Sequence, residues 1–299
     1  MNPTTLTISR AAAFGVLLLL ACRDTSTGTS DLASSGGDMP AVGDGGSGDM
    51  ALAPAKATTI RELNDSASGI KVGDRVKFSG VVISPFMFTD ENNGRCYYRI
   101  NVVQSDGSAP TLKDGIVVTT NVRGTGTTDM SALTQCINQG KTVPVVAAMD
   151  GLKLGDLAEI EGRLDSRANG GQMTRQIEIF GGVVTGKGPA PMMPTPVDVD
   201  SAMFVRGSGM LPQAFVDAHG AFVRFKNVKV FDRSAMYQDF SVSTSGATPG
   251  AYILTRYPRI LNSSYMSPVN GTTLMSVTGI VFGDFSGSIW LRNAADVVQ

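Results

Sequence analysis

The sequence has little of the side-chain chemistry that most enzymes and metalloproteins use. It holds one histidine, one tryptophan and three cysteines in 299 residues, and charged residues make up 17%. His219 precedes a predicted strand without a Gly-x-Ser-x-Gly elbow, so we expect an exposed turn histidine rather than part of a Ser-His-Asp relay. One histidine and two paired cysteines also make no ordinary zinc site. We therefore predict no metal, no cofactor, no small-molecule substrate and no enzymatic activity.

Residues 1–21 have the order of charge and hydrophobicity of a secretory signal peptide. Arg10 is the one charged residue in 1–10, and residues 11–21 are apolar or Gly. That run is too short for a membrane-spanning helix, which needs about 20 apolar residues. The sequence therefore predicts export, with residues 1–21 removed from the mature protein.

A cysteine stands where the signal peptide would be cut. Leu19-Leu20-Ala21-Cys22 resembles the lipobox of bacterial lipoproteins. The resemblance implies that Cys22 becomes the mature N-terminus, carries lipid and anchors the protein to a membrane, with the outer membrane or cell surface as the expected location. Ordinary secretion with Cys22 as an unmodified thiol is the alternative.

Residues 22–57 have the composition of a disordered tether. The segment has no aromatic residue and is rich in Gly, Ser, Ala, Thr and Asp, so it buries too little apolar surface to offset its ordering entropy. Beyond it the chain has two cysteines, Cys96 and Cys136. In an oxidising compartment such a pair predicts one disulfide, with two separate buried thiols as the alternative.

Residues 73–80 and 155–162 share an alternating apolar and polar pattern that Gly-Asp introduces and a second Gly interrupts. Alternation predicts strands, and a glycine within a strand marks a bulge or a sharp bend. The other elements predicted for this half are strands at Tyr97–Val103, Ile116–Val122 and Gln176–Phe180 and a helix at Met130–Ile137.

The order of strand, strand, strand, helix, strand, strand resembles the OB-fold, a five-stranded Greek-key barrel. We assign residues 58–184 to the first barrel, 185–200 to a proline-rich linker and 201–299 to a second barrel. The second assignment rests on residues 220–228, whose pattern repeats that of residues 73–81. The predicted fold class is all-β, with two small OB-like barrels in tandem, each with a short helix; a single irregular β-sandwich is the alternative.

The same resemblance implies where a ligand would bind, because OB-folds bind oligonucleotides and oligosaccharides on one barrel face. Basic residues outnumber acidic ones in residues 201–299, and some of them alternate with aromatic residues. Such a pattern suits phosphate pairing and base stacking, but we favour the interpretation that it is ordinary solvated strand charge. We expect Trp290 to belong to the core. The candidate ligand-binding residues are Phe222, Arg224, Lys226, Arg256, Tyr257 and Arg259.

Glu159 and Glu161 alternate on one predicted strand and project to the same outer face. We interpret them as solubilising charges, because nothing in the sequence implies a cleft around them. The sequence as a whole predicts an exported, lipid-anchored, non-enzymatic binding module of the cell envelope, with a protein or polymer as its partner. The alternative is binding of single-stranded nucleic acid or an oligosaccharide through the barrel faces.

Overall fold

In the computed structural model the strands of this chain form two seven-stranded sheets, one in each half of the folded region. Residues 51–299 belong to one compact unit. The structure describes residues 53–84, 87–91, 95–123, 142–169, 172–206, 210–234, 238–255, 265–283 and 287–299.

The first sheet closes into a five-stranded barrel. Its strands are β1 (Lys56–Ala57), β2 (Arg75–Val82), β3 (Met87–Glu91), β4 (Arg95–Val103), β5 (Gly115–Arg123), β6 (Asp156–Asn169) and β7 (Gln172–Pro189). The five barrel strands pair in the order β2, β6, β7, β5, β4, and β4 pairs again with β2, while β5 and β7 run parallel. This is the Greek-key order of an OB-fold.

Two short helices cover the ends of the first barrel. Helix α1 (Ile60–Leu63) begins at a capping box in which the Thr59 hydroxyl and the Glu62 carboxylate each accept from the other residue's backbone N–H. Helix α2 (Pro144–Asp150) lies between β5 and β6, where an OB-fold has its helix, and buries Met149 in the barrel core. A 3₁₀ turn, η1 (Ser66–Ser68), precedes β2.

The second sheet closes in the same order. Strand β9 pairs with β10 and β12, and β11 runs parallel to β13, as β5 does to β7 in the first barrel. Short helical segments η2 (Ser201–Phe204), α3 (Gln213–Asp217) and η3 (Ala294–Asp296) flank the strands. The strands are β8 (Val197–Asp198), β9 (Phe222–Arg233), β10 (Phe240–Ser243), β11 (Ala251–Leu254), β12 (Thr273–Phe282), β13 (Ser288–Trp290) and β14 (Val297–Val298).

The fourth barrel strand of each half carries a glycine for the same steric reason. A Cβ on Gly162 would lie 2.8 Å from the Ile177 side chain of the next strand, and a Cβ on Gly279 would lie 2.6 Å from that of Ile289. The register of β6 with β7 also shifts between Glu161 and Arg163. The predicted bulge therefore lies at Gly162, and the two halves repeat one barrel plan.

The all-β fold class with two OB-like barrels is therefore confirmed by strand order and closure. The predicted helix at Met130–Ile137 lies outside the described residues. Cys96 is disulfide-bonded and buried. Its predicted partner Cys136 lies outside the described residues, so the pairing stays a prediction.

The two barrels meet through a shared hydrophobic cluster, which we call the joint. An amide hydrogen bond crosses it, because Asn101 Nδ2 donates to the Gly220 carbonyl oxygen at 3.0 Å. On the second barrel's side, the rings of Phe282 and Trp290 stack 3.9 Å apart. The burial of Trp290 agrees with the prediction. The joint contains Ile83, Val103 and Val117 from the first barrel and Phe222, Leu254, Ile280, Phe282 and Trp290 from the second.

Within the described residues, no helix has both the length and the apolar composition needed to cross a membrane.

Candidate binding surfaces

The outer face of β4 and β5 is the face that OB-folds use for ligands, and here the second barrel covers part of it. Asn101 and Val117 are backbone partners on that face, and both are fully buried. Arg99 and Thr119 form the next pair along and are also buried. A polymer could reach this part of the first barrel only if the joint opened.

Tyr97 lies where the same face emerges from the joint. It is half-buried, and the Arg99 guanidinium lies 5.2 Å from the centre of its ring. The same guanidinium lies 5.6 Å from the centre of the Phe282 ring of the second barrel. The joint therefore holds Arg99 in place beside an aromatic ring that remains partly accessible.

Phe222 is the one aromatic candidate of the second barrel that the structure describes. Its side chain is 5% exposed within the joint, and Arg292 lies 4.2 Å from the ring centre. A base or a sugar has almost no access to this ring. Sequence alternation placed Phe222 on a barrel face, but it could not show that the other barrel covers that face.

Arg224 and Lys226 lie on the outer face of β9, as predicted, where they share one acidic partner. Arg224 Nε and Lys226 Nζ each lie 2.6 Å from the carboxylate of Asp198 on β8. Hydrogen bonds from these two residues lower the pKa of Asp198 to about 2, and the bond from Arg224 has the larger effect. A phosphate at this site would have to compete with Asp198 for both cations.

Four further predicted residues, Cys22, Arg256, Tyr257 and Arg259, lie outside the described residues. The lipidation of Cys22 and a ligand-binding role for the other three stay predictions.

His219 does not lie at the surface, and the prediction of an exposed turn histidine is wrong. The side chain is 5% exposed, its Nδ1 accepts from the Gly283 N–H at 2.9 Å, and its ring packs edge-on against Phe282. The turn before β9 packs against the first barrel, because a Cβ on Gly220 would lie 2.8 Å from Ile116 Cα. Among the described residues, no three His, Cys, Asp or Glu side chains cluster as metal ligands would.

A groove of about 460 Å³ lies on the outside of the first barrel. Its size falls in the roughly 300–1,000 Å³ range of small-ligand sites. Strands β2 and β6 and the segment after β4 form its walls, and Leu157 and Ala57 add apolar surface. The polar and charged side chains that line it are Thr58, Thr59, Lys77, Ser79, Gln104, Ser105, Asp106 and Glu159.

Hydrogen bonds hold the polar wall of this groove in place. Gln104 Nε2 donates to Asp106 at 2.6 Å, and Gln104 Oε1 accepts from the Arg61 N–H at 3.1 Å. The Ser108 hydroxyl and N–H donate to the same Asp106 carboxylate at 2.6 and 3.0 Å. These donors hold the pKa of Asp106 far below its usual value, and the Ser108 hydroxyl has the largest effect.

Among the described residues, Lys77 is the one cation that lines the groove, and it is paired as well. Lys77 Nζ lies 3.0 Å from Glu159, and Lys187 approaches the same carboxylate at 3.8 Å. The hydrogen bond from Lys77 lowers the pKa of Glu159 below its usual value. Glu161 pairs with Arg75 at 2.5 Å on the same outer face. The prediction that Glu159 and Glu161 share an outer face is confirmed, and the structure adds that Glu159 lines a concave surface.

A second pocket of about 150 Å³ adjoins the groove and shares residues 104–106 with it. Met192 and Met193, about half exposed, line its far side, and the Ser105 hydroxyl donates to the Met192 carbonyl oxygen at 3.3 Å. Asp114 also lines this pocket and pairs with Arg61 at 2.8 Å. Sequence reasoning missed both cavities, because their residues come from segments far apart in the chain that carry no common motif.

No family model matches the chain, and no curated protein matches it. Among solved structures it is similar to the N-terminal domain of the PriB protein from Thermoanaerobacter tencongensis, with 16% identity and a TM-score of 0.22 over 37% of this chain and 94% of that one. It is also similar to a small single-stranded DNA-binding protein from Streptomyces coelicolor, with 19% identity and a TM-score of 0.22 over 39% and 96%. The description of both barrels as OB-folds rests here on strand order and closure.

Proposed function

We propose that this protein is an exported, lipid-anchored and non-enzymatic module that binds a polymer or protein partner of the cell envelope. The leader and the cysteine at its end support export and anchoring. The tether of residues 22–57 has the composition of a flexible coil, which would hold the barrels off the membrane.

The groove on the outside of the first barrel is the observation that carries the binding function. Its wall around Gln104 and Asp106 is fixed by hydrogen bonds within the protein. A ligand therefore meets groups that are already in position, which reduces the ordering cost of binding. The joint supports this reading, because it fixes the two barrels as one scaffold and covers much of the usual OB-fold face.

Retention on purified cell-envelope polysaccharide and on isolated envelope proteins tests the binding function. Ser79 is exposed in the groove, so Ser79→Trp should fill it and abolish retention without disturbing the core. Thr273→Trp is the matched control, because Thr273 is an exposed strand hydroxyl on the second barrel. Equal retention of both variants would contradict the proposal.

Mass spectrometry of the mature protein from expressing cells tests the anchor. We expect lipid on the sulfur and amine of Cys22, and release of the protein from membranes in Cys22→Ala. An unmodified Cys22 in a protein that still fractionates with membranes would contradict lipid anchoring.

The second candidate is binding of single-stranded nucleic acid at the open end of the β4–β5 face. Tyr97 favours it, because this half-buried ring lies beside the Arg99 guanidinium on the usual OB-fold face. Fluorescence anisotropy with a thymidine dodecamer at increasing salt tests it. Binding that weakens steeply with salt and is lost in Tyr97→Ala would support this function, and no binding at low salt would remove it.

A further inference from the structure

We infer that the groove and its neighbouring pocket take a neutral oligosaccharide. The inference rests on the proposed binding function, because it names the ligand class of the same groove. It assigns the glycan to the outer surface of β2 and β6, whereas OB-folds bind ligands on the face that here borders the joint.

The charged side chains at the two cavities already have partners within the protein. Lys77 is matched by Glu159 at 3.0 Å, and Arg61 is matched at 2.8 Å by Asp114, which lines the second pocket. Asp106 is satisfied by the Ser108 hydroxyl and by the Gln104 amide, both at 2.6 Å. A polyanion such as a nucleic acid would lie beside two carboxylates and would have to displace Glu159 from Lys77. A neutral ligand leaves these pairs intact.

The uncharged polar residues that line the groove carry hydroxyl and amide groups. Ser79, Ser105 and Gln104 line the groove. The Ser105 hydroxyl and the Gln104 amide are held in place there by hydrogen bonds within the protein. Hydroxyl and amide groups donate and accept hydrogen bonds, as sugar hydroxyls do in return. Ala57 and Leu157 offer apolar surface for the C–H faces of a sugar ring. This mixture of polar groups and small apolar patches suits a polyhydroxylated ring better than a flat apolar ligand.

The groove and the second pocket lie next to each other. The groove of about 460 Å³ and the pocket of about 150 Å³ meet at residues 104–106. A linear ligand can therefore place successive units on either side of that segment. Met192 and Met193 add exposed thioether surface on the far side, where a second ring would lie. The geometry points to a chain of sugars rather than to one monosaccharide.

Titration calorimetry on the mature chain tests the ligand class. The probes are a panel of neutral hexasaccharides, the corresponding disaccharides, a hexauronate and a thymidine dodecamer. At least one neutral hexasaccharide should bind, at least about tenfold more tightly than its disaccharide or the hexauronate. Ser79→Trp should abolish that binding and Thr273→Trp should leave it unchanged.

The outcomes separate this inference from the proposed function. If the protein is retained on envelope polymers but binds no neutral hexasaccharide, or binds the hexauronate as tightly, the ligand class is wrong and the binding function stands. If Ser79→Trp binds the hexasaccharide as the wild type does, the site is wrong. If neither envelope polymers nor any probe binds, both proposals fall.

Discussion

At the scale of single residues, Gly220 approaches the backbone of the first barrel closely. Its φ is +87°, and a Cβ there would lie 2.8 Å from Ile116 Cα in the first barrel. Gly69 has a similar φ of +77° but has no atom within 4 Å of a built Cβ. The two glycines therefore separate the cost of the backbone conformation from the cost of the contact.

We expect Gly69→Ala to lower the free energy of unfolding by roughly 1–2 kcal/mol, the cost of a left-handed conformation for a residue with a Cβ. Gly220→Ala should cost roughly 1–3 kcal/mol more, because the methyl group must push the barrels apart. Urea unfolding of the two variants measures the difference. Equal losses would mean that the joint is looser than described.

Glu178 gives the stability of the protein a pH dependence. Burial is the main cause that raises its pKa to about 7 from an ordinary value of 4.5, and a hydrogen bond with Asp165 is the next. The folded state then holds this proton more tightly than the unfolded state, so the contribution of Glu178 to stability falls as pH rises from about 4.5 to about 7. Between pH 5 and pH 8 the wild type should lose stability relative to Glu178→Gln.

Glu159→Gln is the matched control for this measurement. The pKa of Glu159 is lowered by its hydrogen bond from Lys77, so its contribution changes only below the ordinary value of 4.5. Between pH 5 and pH 8 the unfolding free energies of Glu159→Gln and the wild type should therefore run parallel. A parallel profile for Glu178→Gln as well would contradict the raised pKa.

Sequence alternation predicted the residues inside each barrel but not those between the barrels. The alternation in residues 73–80 and 155–162 puts Phe78 and Ile160 on one face of their strands, and both are buried in the barrel core. Phe222 was a candidate ligand-binding residue and His219 was expected in an exposed turn, but Phe222 lies in the joint and His219 is buried against Phe282. Strand periodicity reports which face a residue takes, but it does not report whether another part of the chain covers that face.

At the scale of elements, the capping box of α1 holds one wall of the groove. The Thr59 N–H donates to Glu62 at 2.8 Å, and the Glu62 N–H donates to the Thr59 hydroxyl at 3.2 Å. Thr59→Ala should lower the free energy of unfolding by about 1 kcal/mol, the usual cost of losing such a cap. Thr273→Ala, an exposed strand hydroxyl, should change it by less than about 0.5 kcal/mol.

Urea unfolding of these two variants measures both values, and equal losses would show that the cap contributes nothing specific.

Most strands could be predicted, and helix α2 at Pro144–Asp150 could not. Glycines introduce β2 and β6, and alternation continues each strand, so both were found within a few residues. Helix α2 begins at Pro144, a favoured first residue, but Val143 before it makes no side-chain cap. The two-residue strand β1 is too short to carry any pattern. These elements depend on tertiary contacts that no local signal reports.

At the scale of the whole molecule, we expect the joint to couple the two barrels in unfolding. Trp290, the one tryptophan of the chain, lies inside it, so tryptophan fluorescence reports on the joint directly. In the wild type we expect the fluorescence and far-ultraviolet circular dichroism transitions to coincide in urea, because the joint is apolar and buried.

Two buried isoleucines of the first barrel test this coupling. Ile83 lies in the joint and Ile160 in the barrel's own core, and both are fully buried. Either change to Ala should cost about 2–5 kcal/mol. Ile83→Ala should shift the fluorescence transition to lower urea than the dichroism transition, whereas Ile160→Ala should shift both together. Coincident transitions in Ile83→Ala would contradict a joint that can be weakened separately.

The repeat of the barrel plan was readable from the sequence, whereas the docking of one barrel on the other was not. The shared pattern of residues 73–81 and 220–228 predicted two similar units, and both closed barrels are present. The position of the groove follows from the path of residues 104–106, which no motif marks. Binding residues were therefore sought on the second barrel, while the structure offers its groove on the first.

Mapping of backbone amide shifts by nuclear magnetic resonance, during titration with a neutral hexasaccharide, tests the central claim most directly. The claim is that the two barrels form one scaffold whose binding surface is the outer groove of the first. We predict shifts at Ser79, Gln104 and Glu159 and none at Arg224. Shifts at Tyr97 and along the rest of the β4–β5 face, with the groove unchanged, would contradict the account.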